Sequence, residues 1–311
     1  MGIVNWLRVK RTSAETALIE GDFLRIPSRN YFGWFRTSPD GRYTVTWLDG
    51  NDAGTRGGAR TSGMGRYFLL SGGAIVAEGR IERPNDGKVA DDGTFVFNDW
   101  GFSSDLVGVF RAFRVDGRAI LAQPFTANLL NNGLSADGRL AICQTCNSHS
   151  DSSVLAIFDL VAGAEIACWI PESGWAQSYE FPEDGRSIRL CYSGGASFAY
   201  ALDGTFIDRN RWIDWSLANG NLTVVDRLVL DVQNTPTADQ AGKLIAAIDI
   251  ALATHRPGDD HNRAWAYKLR GICLEATGTA AEALHCYDQA LRLNPKVGVK
   301  RRADALRKLA R

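Results

Sequence analysis

The residues whose types and spacing best suit chemistry are two cysteines and a histidine in the segment CQTCNSH, namely Cys143, Cys146 and His149. A Cys-x-x-Cys pair with a neighbouring histidine can supply ligands to a tetrahedral zinc ion. No second pair at ligand spacing occurs in the sequence, and Cys143 lies within an alternating apolar pattern typical of a strand. We therefore expect buried thiols in this segment, with neither a metal nor a cofactor.

Residues for general acid–base chemistry are scarce. Histidine is the commonest general base at neutral pH, and three of the four histidines, His255, His261 and His285, lie in the C-terminal part of the chain. The sequence contains no phosphate-binding Walker loop, no G-x-S-x-G nucleophile elbow and no H-E-x-x-H zinc motif. Many aspartates precede glycine in turns, where they have a local structural role. These features predict that the protein is not an enzyme.

A glycine-rich segment at 49–66 carries Arg56, Arg60 and Arg66. Its backbone amides and guanidinium groups could cradle a phosphate. A flexible connection with solubilising arginines explains the same composition, and we favour that interpretation.

The elements that would position these residues form a repeat. Four segments, beginning with FRTSPDGRYTVTW, share an apolar stretch, an Asp-Gly turn and an alternating strand, and a second series of turns interleaves with them. Asp-Gly between such stretches is a strong hairpin signal because both residues tolerate positive φ. Two hairpins recurring about every 40 to 50 residues are typical of four-stranded propeller blades. The turn glycines are Gly41, Gly93, Gly138 and Gly185 in one series and Gly73, Gly117, Gly163 and Gly204 in the other.

Residues 38–47, SPDGRYTVTW, resemble the inner-strand signature of WD-like propeller repeats. Residues 154–169 resemble the outer half of such a repeat, with Phe158-Asp159 where Trp-Asp would stand, although the Gly-His dipeptide of that family is missing. The resemblance spans about residues 30–212 and implies a small, four- to five-blade β-propeller-like domain. We expect strands at 15–26 and 222–232 to pair and close the ring; the alternative is an open, curved array of four units.

After about residue 235 the apolar period becomes helical, and a helix is expected at 237–254. Residues 264–295 resemble one tetratricopeptide repeat, and a basic helix at 299–311 follows. The positions that carry this resemblance are Tyr267, Gly271, Leu274, Gly278, Ala283, Tyr287, Ala290 and Pro295, whereas Arg270 stands where that family has leucine. We expect two domains, a β-propeller-like domain at 1–232 and a tetratricopeptide-like helical tail at 233–311, in a mainly β chain with a C-terminal α domain.

The overall charge argues against several classes of partner. Lysine plus arginine equals aspartate plus glutamate, 35 against 35, and the sequence pI is about 6.9, so no global field attracts nucleic acid or an anionic membrane.

The sequence has no apolar stretch long enough to span a membrane. With few cysteines in the chain, we expect a cytoplasmic protein that binds neither nucleic acid nor membrane.

Propeller geometry predicts that the short turns lie at one end of the sheets and the long loops, 49–66, 98–107 and 145–153, at the other. Function concentrates on loops held by a rigid scaffold, so this loop-rich face is the expected binding site. For its tryptophans, packing between blades is the competing interpretation. The candidate binding residues are Trp34, Arg56, Arg60, Asn98, Asp99, Trp100, Asn147, His149 and Trp175.

The sequence therefore predicts a non-enzymatic protein–protein interaction module, an adaptor, scaffold or inhibitory binding protein, that uses the loop-rich face and the helical tail. The expected partner is another protein, and the tail could also build a homo-oligomer. The alternative is a small-ligand sensor or metal-dependent enzyme at the mouth of the propeller channel.

Overall fold

The computed structural model describes residues 17–51, 57–102, 106–146, 148–254, 256 and 258–309. The chain divides into two compact units between Ile207 and Asp208. The first unit is built of antiparallel β-sheets and the second of α-helices. The expectation of a mainly β chain with a C-terminal helical region is confirmed.

The described part of the first unit contains seventeen strands and two short 3₁₀ helices, at Pro27–Arg29 and Ser193–Gly195. The strands are β1 (Leu18–Glu20), β2 (Phe23–Ile26), β3 (Tyr31–Thr37), β4 (Tyr43–Leu48), β5 (Gly65–Ser71), β6 (Ala74–Ile81), β7 (Pro84–Val89), β8 (Phe95–Asp99), β9 (Gly108–Phe113), β10 (Ala119–Phe125), β11 (Leu129–Leu134), β12 (Leu140–Thr145), β13 (Leu155–Asp159), β14 (Ala164–Trp169), β15 (Ser178–Glu180), β16 (Ser187–Cys191) and β17 (Ser197–Ala201).

These strands form four antiparallel sheets in which neighbours in sequence are neighbours in space. The first sheet is β1–β6, the second β7–β10, the third β11–β14 and the fourth β15–β17. All eight predicted turn glycines adopt positive φ, between 60° and 89°. The hairpin after β17 continues only as a short ladder, in which the Ala201 N–H donates to the Thr205 carbonyl at 2.9 Å.

An aspartate precedes six of the eight turn glycines, and this explains why the repeat is legible in sequence. In six turns its carboxylate accepts a hydrogen bond from the backbone N–H two residues later, as Asp116 does from Arg118 at 3.0 Å. This Asx-turn geometry involves only residues of the turn itself, so it does not depend on tertiary packing. The backbone donors also lower the pKa of Asp40, Asp116 and Asp203.

The sheets stack face to face in chain order, and each interface has its own apolar core. Val45 and Trp47 of the first sheet pack against Phe97 of the second. Separate clusters join the second sheet to the third and the third to the fourth. The first strands β7, β11 and β15 lie next to one another along this stack. Consecutive four-stranded meanders with adjacent first strands have the arrangement of propeller blades.

The predicted ring closure is wrong. Residues 222–232 form a helix, Leu222–Asp231, and β1 and β2 pair with each other, with β2 then pairing to β3. The many β-branched residues of LTVVDRLVLDV suggested a strand. Its buried residues Leu222, Val225 and Val229 nevertheless recur at helical spacing, and Asn221 caps the helix by accepting from two backbone N–H groups.

The N-terminal hairpin instead covers the outer face of the first sheet. Leu24 and Ile26 of β2 share a buried cluster with Phe68 and Leu70 of β5. The Arg29 guanidinium reaches Glu78 of β6 at 3.2 Å. Among the described residues, no strand of the fourth sheet is hydrogen-bonded to the first sheet or shares a core cluster with it.

The second unit has six helices in its described part, and none of them is both long and apolar enough to cross a membrane. They are α1 (Arg209–Ala218), α2 (Leu222–Asp231), α3 (Ala238–Thr254), α4 (Asp260–Ala276), α5 (Ala280–Leu293) and α6 (Lys300–Leu309). The last four occupy the segments where helices were expected. The first two belong to this unit and not to the β unit, because α1 and α2 pack on α3.

The pair α4–α5 packs closely because glycine stands where the helices meet. A Cβ on Gly271 would lie 2.4 Å from the Tyr287 ring. The buried Tyr287 hydroxyl donates to Glu275 at 2.6 Å. The unusual Arg270 donates to Asp249 of α3 at 2.9 Å, so it ties the pair to the preceding helix.

Candidate interaction surface

The strand ends from which the long loops leave lie at one end of the sheets. Because each sheet is an antiparallel meander, its first-to-second and third-to-fourth turns share one end, and the second-to-third loops share the other with the crossings between sheets. Of the candidate residues, Arg56 and Asn147 lie outside the described residues. The others divide into buried side chains and exposed ones.

Arg60 is buried, with a side-chain exposure of 2%. Its guanidinium donates to Asp49 at 2.6 Å and to the carbonyls of Gly58, Gly63 and Glu82 at 2.7–3.0 Å. These bonds engage nearly all of its N–H groups, so Arg60 holds the loop 49–66 together and does not present a free cation at its rim.

At the end of β8, the side chains of Asn98, Asp99 and Trp100 also make contacts within the protein. Asp99 accepts from the Arg83 backbone N–H at 2.8 Å and from the Arg111 guanidinium at 2.8 Å. Trp100 packs into the core between the second and third sheets, and its indole N–H donates to the Leu129 carbonyl at 3.1 Å. Trp100 therefore packs between sheets, which is the competing interpretation given for the tryptophans.

Three candidates are exposed. Trp175 and His149 lie at the loop end, and Trp175 is 43% exposed. Trp34, 44% exposed, lies in the middle of β3 and so belongs to a strand, not to a loop. The structure therefore does not bring the seven described candidates together into one surface.

A cavity of about 370 Å³ opens at the loop end between the second and third sheets. Phe102, Val107 and Phe125 form part of its wall, with the carboxylates of Glu82 and Asp151. Both carboxylates already accept hydrogen bonds, Glu82 from the Phe102 backbone at 2.7 Å and Asp151 from Thr126 at 2.6 Å.

The thiols are in environments that suppress their reactivity. Cys143 is fully buried in β12, and burial raises its pKa well above the ordinary value. Burial also raises the pKa of Cys146 and Cys168, and raises that of Cys273 to about 11. Within the described ranges, no group of three or more His, Cys, Asp or Glu side chains is placed to hold a metal ion.

The first sheet presents an aromatic patch, which we define as Phe23, Phe32 and Trp34. Phe32 and Trp34 are each 44% exposed, and Phe23 lies between them with ring centroids 4.8 and 4.3 Å away. Alternation along β3 places Arg36 on the same face. That face is the one turned toward the second sheet, because Trp34 pairs with the buried Trp47, and β3 lies beside β7.

Next to the patch, the first strands of three sheets enclose a polar pocket, which we call the inner pocket, of about 160 Å³. Its main groups are Asp86 and Lys88 of β7, Asn131 and Asn132 of β11 and Tyr179 of β15. Lys88 donates to Asp86 at 2.7 Å and to Asn132 at 3.1 Å. Burial lowers the pKa of Lys88; Asp86 opposes that shift, and the positive charge of Arg36 adds to it.

A bulge in β7 sets the position of Asp86, the acidic residue paired with Lys88. The register shifts between Asn85 and Lys88, and Asp86 takes a left-handed φ of 47°. Aspartate is among the few residues that adopt this conformation readily. The Asp86 carboxylate then accepts from the Asn132 backbone N–H at 2.8 Å, which satisfies a donor on the edge of the third sheet.

A second part of the network joins the third and fourth sheets. The Tyr179 hydroxyl lies 2.7 Å from Asn131 Oδ1 and 3.1 Å from Gln144 Oε1, to either of which it can donate. Two buried amide groups nearby, Asn98 Nδ2 and Gln144 Nε2, have no hydrogen-bond partner among the described residues. Asn98 Oδ1 in turn accepts from Asn132 Nδ2 at 3.1 Å.

Sequence reasoning missed this pocket and most of the aromatic patch. A signal was present, because the first strands read PNDGKV, LLNNGL and SYE, which are too polar for strands packed on both faces. The sequence does not show that residues from three different repeats lie close together in the fold.

No family model matches the chain, and no curated protein matches it in sequence. Many solved structures share a partial similarity with it, and two of them illustrate its extent. The C-terminal WD40 domain of Sif2 aligns over 52% of this chain and 42% of its own length, with 14% identity and a TM-score of 0.36. Kluyvelomyces marxianus Hsv2 aligns over 60% of this chain and 56% of its own length, with 8% identity and a TM-score of 0.39. The chain thus spans about half the length of these structures.

Proposed function

We propose that the protein is a non-enzymatic protein-interaction module whose principal contact surface is the aromatic patch. The observation that carries this proposal is the pair of half-exposed rings, Phe32 and Trp34, presented side by side from a regular strand. Aromatic residues dominate the energetics of protein interfaces because they bury a large area at a small cost in entropy. Here the cost is lower still, because Phe23 stacks against both rings before any partner arrives.

Charge beside the patch indicates the kind of partner. Arg25 and Arg36 flank the rings on β2 and β3, and Lys88 lies beyond Arg36 on β7. Complementary charge steers association and fixes orientation. The proposed partner is therefore a protein segment that combines an apolar or aromatic side chain with acidic residues.

The loop-rich face and the helical unit are secondary parts of the proposal. Trp175 and His149 would form a separate contact at the loop end, which does not contribute to binding at the aromatic patch. The helical unit would act as a tetratricopeptide-like docking surface or build a homo-oligomer, with α3 and α6 flanking the pair α4–α5.

The inner pocket favours a second candidate, the binding of a small ligand at the first strands of the sheets. Its volume of about 160 Å³ is below the usual range of about 300–1,000 Å³ for drug-sized ligands. A pocket of this size suits one functional group better than a whole metabolite. We therefore place it within the protein-binding proposal.

The test is selection of a displayed library of random linear peptides against the full chain. Selected peptides are then measured against a Phe32→Ala, Trp34→Ala double variant and against Trp175→Ala, which removes an equally exposed tryptophan at the loop end. We expect the double variant to bind at least about 30-fold more weakly, because aromatic hot spots contribute about 2 kcal/mol or more. The Trp175→Ala variant should bind as the unaltered chain does.

If peptide binding is lost in Trp175→Ala and unchanged in the double variant, the contact lies on the loop-rich face instead. Peptides that bind all three proteins equally would refute both surfaces. A change in assembly size on light scattering of the double variant would show that the patch contacts a second copy of the chain instead.

A further inference from the structure

We propose that the inner pocket receives the carboxylate of an acidic side chain from the partner, with Lys88 as its direct ligand. The inference rests on the proposed protein-binding function and names the chemical group that the partner must carry.

The first argument is the remaining hydrogen-bonding capacity of Lys88. An ammonium group has three donors, and Lys88 uses two of them, on Asp86 and Asn132. Its side chain is 34% exposed, so the group is held in place yet reachable from outside. A third, charge-assisted hydrogen bond can therefore form without breaking the other two.

The second argument is that the side-chain donors of Asn131, Asn132 and Tyr179, which line the pocket with Lys88, are engaged. The Asn132 amide donates to the Asp86 carbonyl at 2.7 Å and to Asn98 at 3.1 Å. The Asn131 amide donates to the Ala176 carbonyl at 2.7 Å, and Tyr179 donates to its amide partners. Among the described residues that line the pocket, Lys88 is thus the positively charged side chain with a donor left for a ligand.

The third argument is the balance of charge. Asp86 is neutralised by Lys88, and its second oxygen is taken by the Asn132 backbone. Arg36 lies near enough to act electrostatically on Lys88, so Lys88 and Arg36 together outweigh the single negative charge of Asp86. A carboxylate restores neutrality, whereas an ammonium or guanidinium group would meet two cations and an acid that is already paired.

The fourth argument is geometry. The pocket opens beside β7, and the aromatic patch lies on the adjoining β3. A cavity of about 160 Å³ accommodates an aspartate or glutamate side chain but not a nucleotide or a sugar phosphate. One short partner segment can therefore place an apolar residue on the patch and a carboxylate in the pocket.

The test uses the full chain and three matched probes, the N-acetyl N-methylamides of glutamate, glutamine and lysine, titrated by ligand-observed NMR. Glutamate should bind, and glutamine and lysine should not. Lys88→Met should weaken glutamate binding about tenfold or more, since a hydrogen bond to a charged group contributes that much. Lys88→Arg should retain binding within about threefold, and Lys296→Met, which removes an exposed lysine elsewhere, should change nothing.

Two further variants keep the test decisive if Lys88→Met leaves Asp86 unpaired and perturbs the fold. In Asp86→Asn the positive charge is unopposed, so glutamate should bind more tightly than to the unaltered chain. The double variant Asp86→Asn, Lys88→Met removes both charges and should not bind glutamate. Equal binding of glutamate and glutamine, binding of lysine, or unchanged affinity in the folded double variant would each overturn the inference.

The outcome is separable from that of the proposed function. Peptides that depend on Trp34 but not on Lys88 would refute the acidic anchor and leave the aromatic contact standing. Glutamate binding that depends on Lys88, without any peptide that depends on Trp34, would support the carboxylate site and refute the aromatic contact.

Discussion

The two faces of the second sheet both pack on apolar cores, but they differ in chemistry along β8. Phe95 and Phe97 of β8 face the first sheet, and their rings lie 5.1–6.3 Å from those of Trp47 and Tyr67 of that sheet and of Phe113 on β9. Asn98, the next residue of the same strand, faces the third sheet, where it contacts Asn132 and leaves one amide group without a partner. Apolar packing contributes most of the free energy of folding, whereas an incompletely bonded amide costs stability. The junction with the first sheet is therefore an aromatic core, whereas the junction with the third sheet combines its own apolar core with buried amide groups that cost stability.

The largest expected effect is at the aromatic junction. Phe97→Ala removes a fully buried ring and should lower the free energy of unfolding by about 3–5 kcal/mol. Denaturant unfolding followed by tryptophan fluorescence measures the change. A loss below about 1 kcal/mol would mean that this junction does not stabilise the β unit.

Asn98→Ala, one residue along the strand, should cost less, about 1–3 kcal/mol. The substitution takes an acceptor from the Asn132 amide, yet it also removes the unpartnered Nδ2 group. The same unfolding measurement applies. A cost equal to that of Phe97→Ala would contradict the proposed difference between the two junctions.

Tyr179→Phe should cost about 1 kcal/mol at neutral pH, because the hydroxyl no longer donates to Asn131 or Gln144. Burial raises the pKa of Tyr179 well above its ordinary value of 10.0. A raised pKa in the folded state means that the unfolded chain loses its proton first, so stability falls as pH rises above 10. The difference in stability between Tyr179→Phe and the unaltered chain should therefore shrink above that pH, and a constant difference would count against this account.

The smallest effect on stability should come from Trp34→Ala, within about 0.5 kcal/mol, as is usual for exposed positions. Trp175→Ala is the matched control, with nearly the same exposure. Thermal unfolding of both variants provides the measurement. A large loss for Trp34→Ala alone would make the aromatic patch part of the core, and it would weaken the case for a binding surface.

The parts of the fold that were predictable from sequence are those with local causes. Each Asp-Gly turn is closed by its own aspartate, so the hairpins follow from residues two positions apart. Residues 222–232 were mispredicted because β-branched composition and helical spacing point in different directions there, and packing against other helices decides between them. Local propensity holds no information about that packing.

The candidate site was less predictable because exposure is a tertiary property. Arg60 and Asp99 are as polar as any surface residue, but each is buried by bonding partners far along the chain. The inner pocket needs β7, β11 and β15 side by side, and the sequence separates them by whole repeats. Only the unexpected polarity of those strands hinted that they share a function.

The hairpin β1–β2 has a consequence for how such a chain can change length. A closed ring tolerates only certain copy numbers, because its last unit must meet its first. Here the first sheet is terminated by its own hairpin, through Leu24, Ile26 and the Arg29–Glu78 ion pair. In modular repeat proteins each unit contacts only its neighbours, so a unit can be added or lost without changing the contacts of distant units. Duplication or loss of one interior sheet would therefore leave the contacts between this hairpin and the first sheet unchanged.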